Sequence, residues 1–492
     1  MASWNKPAPA DVNRQDPENV FAAGTRNHHI SNTAYPIAHN VTWKPYRVDR
    51  NANASLVESA FADAETISLY SHIPFCETRC YFCEYTVVGK KELDAASDYM
   101  KLLSRELAMF RSLLGERSLS GFDIGGGTPS FVNAPLMAEH VDEVRKAFRT
   151  APGFAISIET TPRIASTEPE KMKAYADMGI ERISMGIQVV QPDLLKHLGR
   201  SENGLDHHRK ACDHIRGAGF KKFNIDLMYG FAKQSDQSWE ATLRHAIALE
   251  PDYITLYRMR YKLTRISAEA ADVTLEPVLR QAKLASEMLR SAGYIANPGK
   301  NTYSRIPKDT GTSAYLTRRV IEGSTYLGLG LGAQTFTDTT ISYNDGAASK
   351  SIAPYAKSIA EGRLPIQDLY HLPLEHMMAK MIAVSFYFGE IRADAFEKKF
   401  KVSLEEAFPR EIEFALKEGL MHWSISENGQ EIPELDRRAL SLTPHGARNF
   451  NGTIALFFAP SVQSYLIHRQ SQADMHRHAA SAQLVADKND AA

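Results

Sequence analysis

Six runs rich in β-branched and aromatic residues recur between 66 and 260: TISLYSHIP (66–74), GFDIGGG (121–127), FAISIETTP (154–162), ERISMGIQ (181–188), FNIDLMYG (223–230) and DYITLYRMR (252–260). Each lies before Gly, Pro or polar punctuation, as strands do. Helical patterns fill the intervals at 93–115, 134–149, 168–179, 204–217 and 236–249. In the last of these Trp239, Leu243, Ala246 and Ile247 share one face. Ser235 or Asp236 is placed to cap its start and Glu250-Pro251 to end it, while Gly219 suits a stop for the helix before. Alternating strands and helices call for a parallel sheet, and right-handed crossovers curl that sheet into a full or partial barrel. The expected fold class is therefore α/β, a partial (β/α)6 TIM-like barrel over 66–265. Functional residues of such a barrel sit at the C-terminal ends of its strands.

A polar N-terminal arm (1–65), with one short helix at 55–63, precedes this segment. After it, 266–370 reads as barrel extension and linker. The stretch 371–470 reads as a mostly helical C-terminal domain with a strand-rich insert around 421–443, and 471–492 as a disordered tail. The arm and the C-terminal region are expected to cap the barrel mouth. At 492 residues the chain exceeds one small core. A net charge of −1 gives no electrostatic case for nucleic acid or an anionic membrane. No apolar run is long enough to span a bilayer, and MASWNKPAPADVNRQDPENV lacks a signal peptide's apolar region. A cytoplasmic monomer is the expectation.

Three of the four cysteines, Cys76, Cys80 and Cys83, fall within SHIPFCETRCYFCEYT, immediately after the first strand. Clustered thiols in a cysteine-poor chain suit a metal and a reducing compartment rather than a disulfide framework. Three thiolates cannot complete the four-cysteine ligation usual for iron–sulfur clusters, so a four-iron cube here keeps one iron open. An open metal position marks a catalytic site. The alternative is zinc, with His72 or Cys212 as fourth ligand; no second ligand cluster supports it, and Cys212 suits a small apolar packing role.

GGGTP (Gly125 to Pro129) follows the second strand, where glycines let backbone N–H groups approach a ligand, or simply form a tight turn. Glu159, Gln188 and Asp226 lie in or at the ends of strands, and Arg200 follows the fourth. Each alone is as readily a structural hydrogen-bond partner, but together they suit a polar pocket for a zwitterion. GLGLGAQTF (Gly328 to Phe336) has no nucleotide-loop spacing and reads as an extra, closely packed strand.

The cysteine spacing, preceded by YSHIPF and followed in order by GGGTP, SIET, SMGIQ and NIDLMYG, resembles the radical S-adenosylmethionine superfamily. The branch it resembles is that of oxygen-independent coproporphyrinogen III oxidase. The likeness is dense over 66–265 and continues through STYLGLGLGAQTF and LSLTPHGARNF; NTAYPIAHNV in the arm shares it. It implies a 4Fe–4S cluster on Cys76, Cys80 and Cys83, with S-adenosylmethionine on the open iron. Cleavage of that nucleotide releases a 5′-deoxyadenosyl radical that takes a hydrogen atom from a small-molecule substrate. By matching positions, Tyr70, Gly126, Glu159 and Gln334 would hold this first nucleotide. Phe82, Gly127, Thr128, Gln188, Arg200, Asp226 and Arg260 would line a second. A flavodoxin or ferredoxin would supply electrons. The oxidases carry a further cysteine two residues after the third, where this chain has Cys83-Glu84-Tyr85. In that it resembles class C radical methyltransferases and cyclopropane-forming enzymes of natural-product pathways. Methyl or methylene transfer to an sp² carbon is thus expected first, oxidative decarboxylation second, and a haem-binding chaperone without turnover third.

Overall fold

A computed structural model describes residues 11–26, 35–50, 53–88, 95–262, 264–428 and 436–469. The expected tail at 471–492, and part of the arm, lie outside the described residues. The chain divides into two units. One comprises 47–371 with 427–434, and the other 1–46, 372–426 and 435–492. The divisions fall at 46/47 and 371/372, so the later part of the expected 1–65 arm, including its helix Asn53–Ala60, belongs with the barrel.

Six parallel strands form the barrel unit in sequential order: β1 (Thr66–Ile73), β2 (Ser118–Gly126), β3 (Ile156–Thr160), β4 (Ile180–Gln188), β5 (Lys222–Tyr229) and β6 (Tyr253–Arg258). The longest helices between them are α1 (Ala96–Leu114), α2 (Ala134–Ala147), α3 (Pro169–Asp177), α4 (Leu205–Ala218) and α5 (Asp236–Ala248). This is the partial (β/α)6 barrel that the alternation requires. Helix boundaries follow their chemistry. The Ser235 hydroxyl accepts from the N–H of Ser238 at 3.0 Å, and Gly219 ends α4 at φ +93°. Trp239, Leu243 and Ala246 are fully buried, each helix covering the apolar positions of the strands beneath.

The stretch after 265, loose in sequence, is ordered. It adds helix α6 (Leu275–Ser291), strand β7 (Thr302–Ser304) antiparallel to β6, and helix α7 (Ala314–Ile321). β8 (Tyr326–Leu329) then pairs parallel with β1, and β9 (Gln334–Phe336), β10 (Thr340–Asn344) and β11 (Ile366–His371) continue the sheet antiparallel. The single strand expected over GLGLGAQTF is thus two strands joined by a turn, with Gly330 at φ +96° and Gly332 at φ +66°. A turn that reverses within four residues needs those left-handed conformations. Buried Glu106 of α1 holds the turn, accepting from the Gly330 N–H at 2.7 Å, Asn344 Nδ2 at 2.6 Å and the Tyr355 hydroxyl at 2.5 Å.

The segment before and including α7 closes the N-terminal end of the barrel. Asp309 pairs with Lys222 at 2.8 Å, Gly311 O accepts from Arg182 Nη2 at 3.2 Å, and the Ser313 hydroxyl donates to Asp123 Oδ2 at 2.6 Å. Gly121 of β2 leaves room for it, since a Cβ there would lie 2.3 Å from Tyr315 N.

The second unit joins helices to a three-stranded antiparallel sheet of Glu390–Arg392, Arg438–Leu442 and Met421–Ile425. Helix Pro17–Thr25 crosses Phe450–Ala455 where Gly24 and Gly452 meet, a Cβ on Gly24 falling 2.8 Å from Ala455 Cβ. Fully buried His376 ties the unit together. It accepts from Trp43 Nε1 at Nδ1 (2.9 Å) and faces Asp11 through Nε2 (3.2 Å). Among the described residues no helix is long and apolar enough to cross a membrane.

Gly328 is the tightest point of the hairpin, because a Cβ there would sit 2.2 Å from Gln334 O. Gly328→Ala is expected to cost about 1–3 kcal/mol through forced backbone shifts, read as a lowered denaturant midpoint.

Candidate functional site

The chain leaves β1 at Ile73 and returns at Val88, and the three cysteines lie on this loop. Two backbone bonds clamp it to the GGGTP turn: the Gly127 N–H donates to Ile73 O at 2.8 Å and the Thr128 N–H to Phe75 O at 2.7 Å. The glycines make the approach possible. A Cβ on Gly127 would lie 2.6 Å from Phe75 O and 3.0 Å from Cys76 Sγ, and one on Gly126 (φ +122°) would strike the His72 ring at 2.8 Å. Further along, Tyr81 N–H donates to Leu198 O at 3.0 Å, and Lys350 Nζ bridges the carbonyls of Glu84 and Tyr85 at 3.2 Å each. Ion pairs Glu77–Arg163 and Glu84–Arg260 hold the loop's flanks.

All three loop cysteines are partly exposed, whereas Cys212 is fully buried in α4. The Thr128 hydroxyl donates to Cys76 Sγ at 3.4 Å and Arg200 Nη1 to Cys80 Sγ at 3.2 Å. Burial pushes the Cys76 thiol up to about 12 and the Cys83 thiol upward too, so these sulfurs need a cation to exist as thiolates. His72 is committed elsewhere. Its Nε2–H donates to Thr86 O at 2.7 Å, which leaves Nδ1 to accept from the Tyr70 hydroxyl at 3.1 Å. Neither His72 nor Cys212 can complete a four-ligand zinc shell. Three thiol donors, crowded glycines beside them and a guanidinium on one sulfur fit a cluster with one open iron.

Below this loop the barrel interior is open to water at Glu159. Across the sheet, Tyr70 stands opposite Asp123, Asp123 opposite Ser157, and Ser157 opposite Arg182. A second row runs Glu159, Ser184, Asn224, and a third Gly186, Asp226, Thr255. Bulky branched side chains usually fill these positions in a barrel. Here they are polar or small, and Glu159 is exposed in the middle of an otherwise buried strand. Enclosure by the barrel, with Asp226 and Asp123 adding repulsion, pushes the Glu159 carboxyl up to about 8 although water still reaches it.

The cofactor sites expected from sequence fall in six places. Tyr70, Gly126 and Glu159 adjoin: the Gly126 N–H bonds Glu159, and a Cβ on Gly125 would touch Glu159 and Tyr70 at 3.1 Å. Gln188 and Arg200 meet at Gly186, whose carbonyl accepts from Arg200 Nη2; among the described residues Gln188 Oε1 and Arg200 Nε are buried without a partner. Gln188 itself adopts φ +70°. Asp226 accepts from the Ser184 hydroxyl and Asn224 Nδ2, both at 2.8 Å, and burial raises its carboxyl. Phe82 stands apart, edge-on to Phe231 at 5.9 Å and against an apolar cluster of Val189, Leu194, Leu198 and Met259. Gly127 and Thr128, on the GGGTP turn, sit against the cysteine loop, and Arg260 lies at its flank. Gln334 lies beyond β8, accepting from the Tyr326 hydroxyl. The sequence reading missed Asp123, Arg182, Tyr315 and Arg319. A polar residue at an inward position of GFDIGGG or ERISMGIQ was the available signal for the first two.

The raised Glu159 carboxyl gives a signed expectation. Its reference value is 4.5, so folding favours its protonated form; that contribution is complete below 4.5 and is lost as pH rises through about 8. In cluster-free protein, Glu159→Gln should match the parent near pH 4.5 and exceed it in denaturant midpoint above pH 8.

A family model described as the radical SAM superfamily matches residues 70–246. The oxygen-independent coproporphyrinogen III oxidase of Paracoccus denitrificans is 30% identical over 360 residues, covering 69% of this chain and 76% of that protein. The heme chaperone HemW of Haemophilus influenzae is 34% identical over 197 residues, 39% of this chain and 51% of the chaperone, so the chain spans about half of that relative. The solved structure of coproporphyrinogen III oxidase (HemN) from Escherichia coli superposes with a TM-score of 0.67 at 22% identity, covering 82% of this chain and 93% of that one, a likeness of fold. The chain belongs to the radical S-adenosylmethionine superfamily, in the branch of oxygen-independent coproporphyrinogen III oxidase, and its cofactors are the 4Fe–4S cluster and S-adenosylmethionine that define that superfamily.

Proposed function

We propose that this enzyme oxidatively decarboxylates a small carboxylate-bearing substrate of the coproporphyrinogen type. The observation that carries this reading is the extended likeness to the Paracoccus denitrificans oxidase, which reaches well beyond the barrel residues common to the superfamily. When bound, the cluster and nucleotide supply the radical that removes a hydrogen atom from substrate. The chain's own residues bind and orient. Cys76, Cys80 and Cys83 hold the cluster. Tyr70, Gly126, Glu159 and Gln334 serve a first nucleotide, with Glu159 neutral near pH 7 and able to donate a hydrogen bond. Phe82, Gly127, Thr128, Gln188, Arg200, Asp226 and Arg260 serve a second. The unpartnered Gln188 Oε1 and Arg200 Nε support a ligand there, since buried polar atoms are seldom left unpaired. A one-electron donor of the flavodoxin or ferredoxin class completes the cycle.

One observation favours a second reading, methyl or methylene transfer to an sp² carbon. Tyr85 stands where the oxidases have their additional cysteine, and it is exposed beside the loop.

Anaerobic turnover with coproporphyrinogen III separates the two. Decarboxylation yields 5′-deoxyadenosine and carbon dioxide without S-adenosylhomocysteine. Methyl or methylene transfer yields 5′-deoxyadenosine, S-adenosylhomocysteine and a substrate heavier by one carbon. Haem binding with no substrate-coupled cleavage would overturn both.

Cys80→Ala should lose the iron and the visible absorption of the reconstituted protein along with all radical products. A variant that keeps a full cluster and turns over would refute the ligand assignment.

A further inference from the structure

Two guanidinium groups inside the barrel make no ion-pair contact with an acid among the described residues. Arg319, on α7, donates from Nη1 to the Tyr315 hydroxyl at 3.3 Å and lies 4.7 Å from the Tyr326 ring centroid and 5.9 Å from that of Tyr315. Its Nε is buried with no hydrogen-bond partner. Arg182, on β4, donates to Ser157 Oγ at 3.5 Å and Gly311 O at 3.2 Å, and its Nε is likewise unpartnered. Among the described residues neither forms an ion pair, and enclosed arginines are seldom found without one.

Asp123 lies within the field of both arginines but neutralises neither by contact. Its Oδ2 takes the Ser313 hydroxyl at 2.6 Å, and its Oδ1 is buried without a partner. Burial pushes its carboxyl up to about 6 and that of Glu159 up to about 8, so near neutral pH Glu159 is a weak counter-ion and the Asp123 charge is shared between two guanidiniums. Both arginines keep partial solvent contact, as do Tyr70, Asp123 and Asp226. The barrel interior therefore combines permanent positive charge with orphaned donors at its closed end.

We propose that Arg319, with Arg182 beside Asp123, forms a carboxylate-binding floor to the barrel, engaging a carboxylate of the molecule the barrel receives. The planar guanidinium fork matches a carboxylate bidentately. A doubly charged phosphate fits less well, because ionised Asp123 and Asp226 share the same space and repel two charges more than the one of a carboxylate. The Tyr315 hydroxyl, already bonded to Arg319, supplies a further polar contact. The inference rests on the decarboxylase reading for one source of the carboxylate, a side chain of substrate; the other source is the carboxylate of the nucleotide cofactor.

The test measures equilibrium binding to anaerobic reconstituted protein and to its Arg319→Gln and Arg319→Lys variants. The probes are coproporphyrin III, its tetramethyl ester and S-adenosylmethionine, with succinate as a simple carboxylate read by the shift in melting temperature. A substrate carboxylate predicts that Arg319→Gln weakens coproporphyrin III at least tenfold, that Arg319→Lys weakens it less, and that the ester binds all three alike. Loss of S-adenosylmethionine affinity with porphyrin unchanged supports the site with the cofactor as source. Failure of the parent protein to bind any porphyrin defeats the decarboxylase reading, and the floor is then decided by succinate and S-adenosylmethionine. Equal responses of parent and Arg319→Gln, both folded by circular dichroism, to all four probes would overturn the proposal.

Discussion

Two backbone hydrogen bonds, from Gly127 and Thr128 into Ile73 and Phe75, decide where the cysteines stand. They join the ends of adjacent parallel strands, so the loop that follows β1 cannot swing away from the turn that follows β2. No side chain fits between the two segments, and the exchange of N–H and C=O groups across the gap needs glycine on one side. With that junction closed, Thr128 reaches Cys76 and Arg200 reaches Cys80.

The interior beneath it inverts the usual economy of a parallel barrel. Inward positions that would normally bury branched aliphatic side chains hold Tyr70, Asp123, Glu159, Arg182 and Asp226. Apolar burial then has to come from the outward positions under the helices and from the segment that closes the far end through Asp309, Gly311, Ser313 and Tyr315. Burial in that enclosed space raises the carboxyls of Asp123, Glu159 and Asp226, and repulsion from Asp226 and Asp123 adds to the rise at Glu159.

Most of the barrel could be read from the chain because its strands and helices alternate regularly and carry strong local signals, Ser235 and Gly219 among them. The cysteine loop and the glycine turn were equally plain, since their chemistry is written in adjacent residues. Harder were the elements whose role depends on distant partners. Helix α7 has no unusual composition, yet it closes the barrel through contacts with β1 and β2. Arg319 therefore looks in sequence like any surface arginine. Gln334 and Glu106 owe their importance to a hairpin whose two strands were indistinguishable from one. The early helix Pro17–Thr25 went unnoticed because its apolar face is completed only by Phe450–Ala455.

That last pairing bears on how a ribosome delivers this protein. Asp11 and Ser461 are joined by a hydrogen bond across 450 positions, and Trp43 reaches His376 across 333. During synthesis the barrel residues emerge between these partners, so the leading segment must wait, unprotected, while another unit is made. Loop closure over such a separation is slow, and exposed apolar surface during the delay invites chaperones. Expression yield should hence be more sensitive to changes at Gly24 or Trp43 than their distance from the cysteines would suggest.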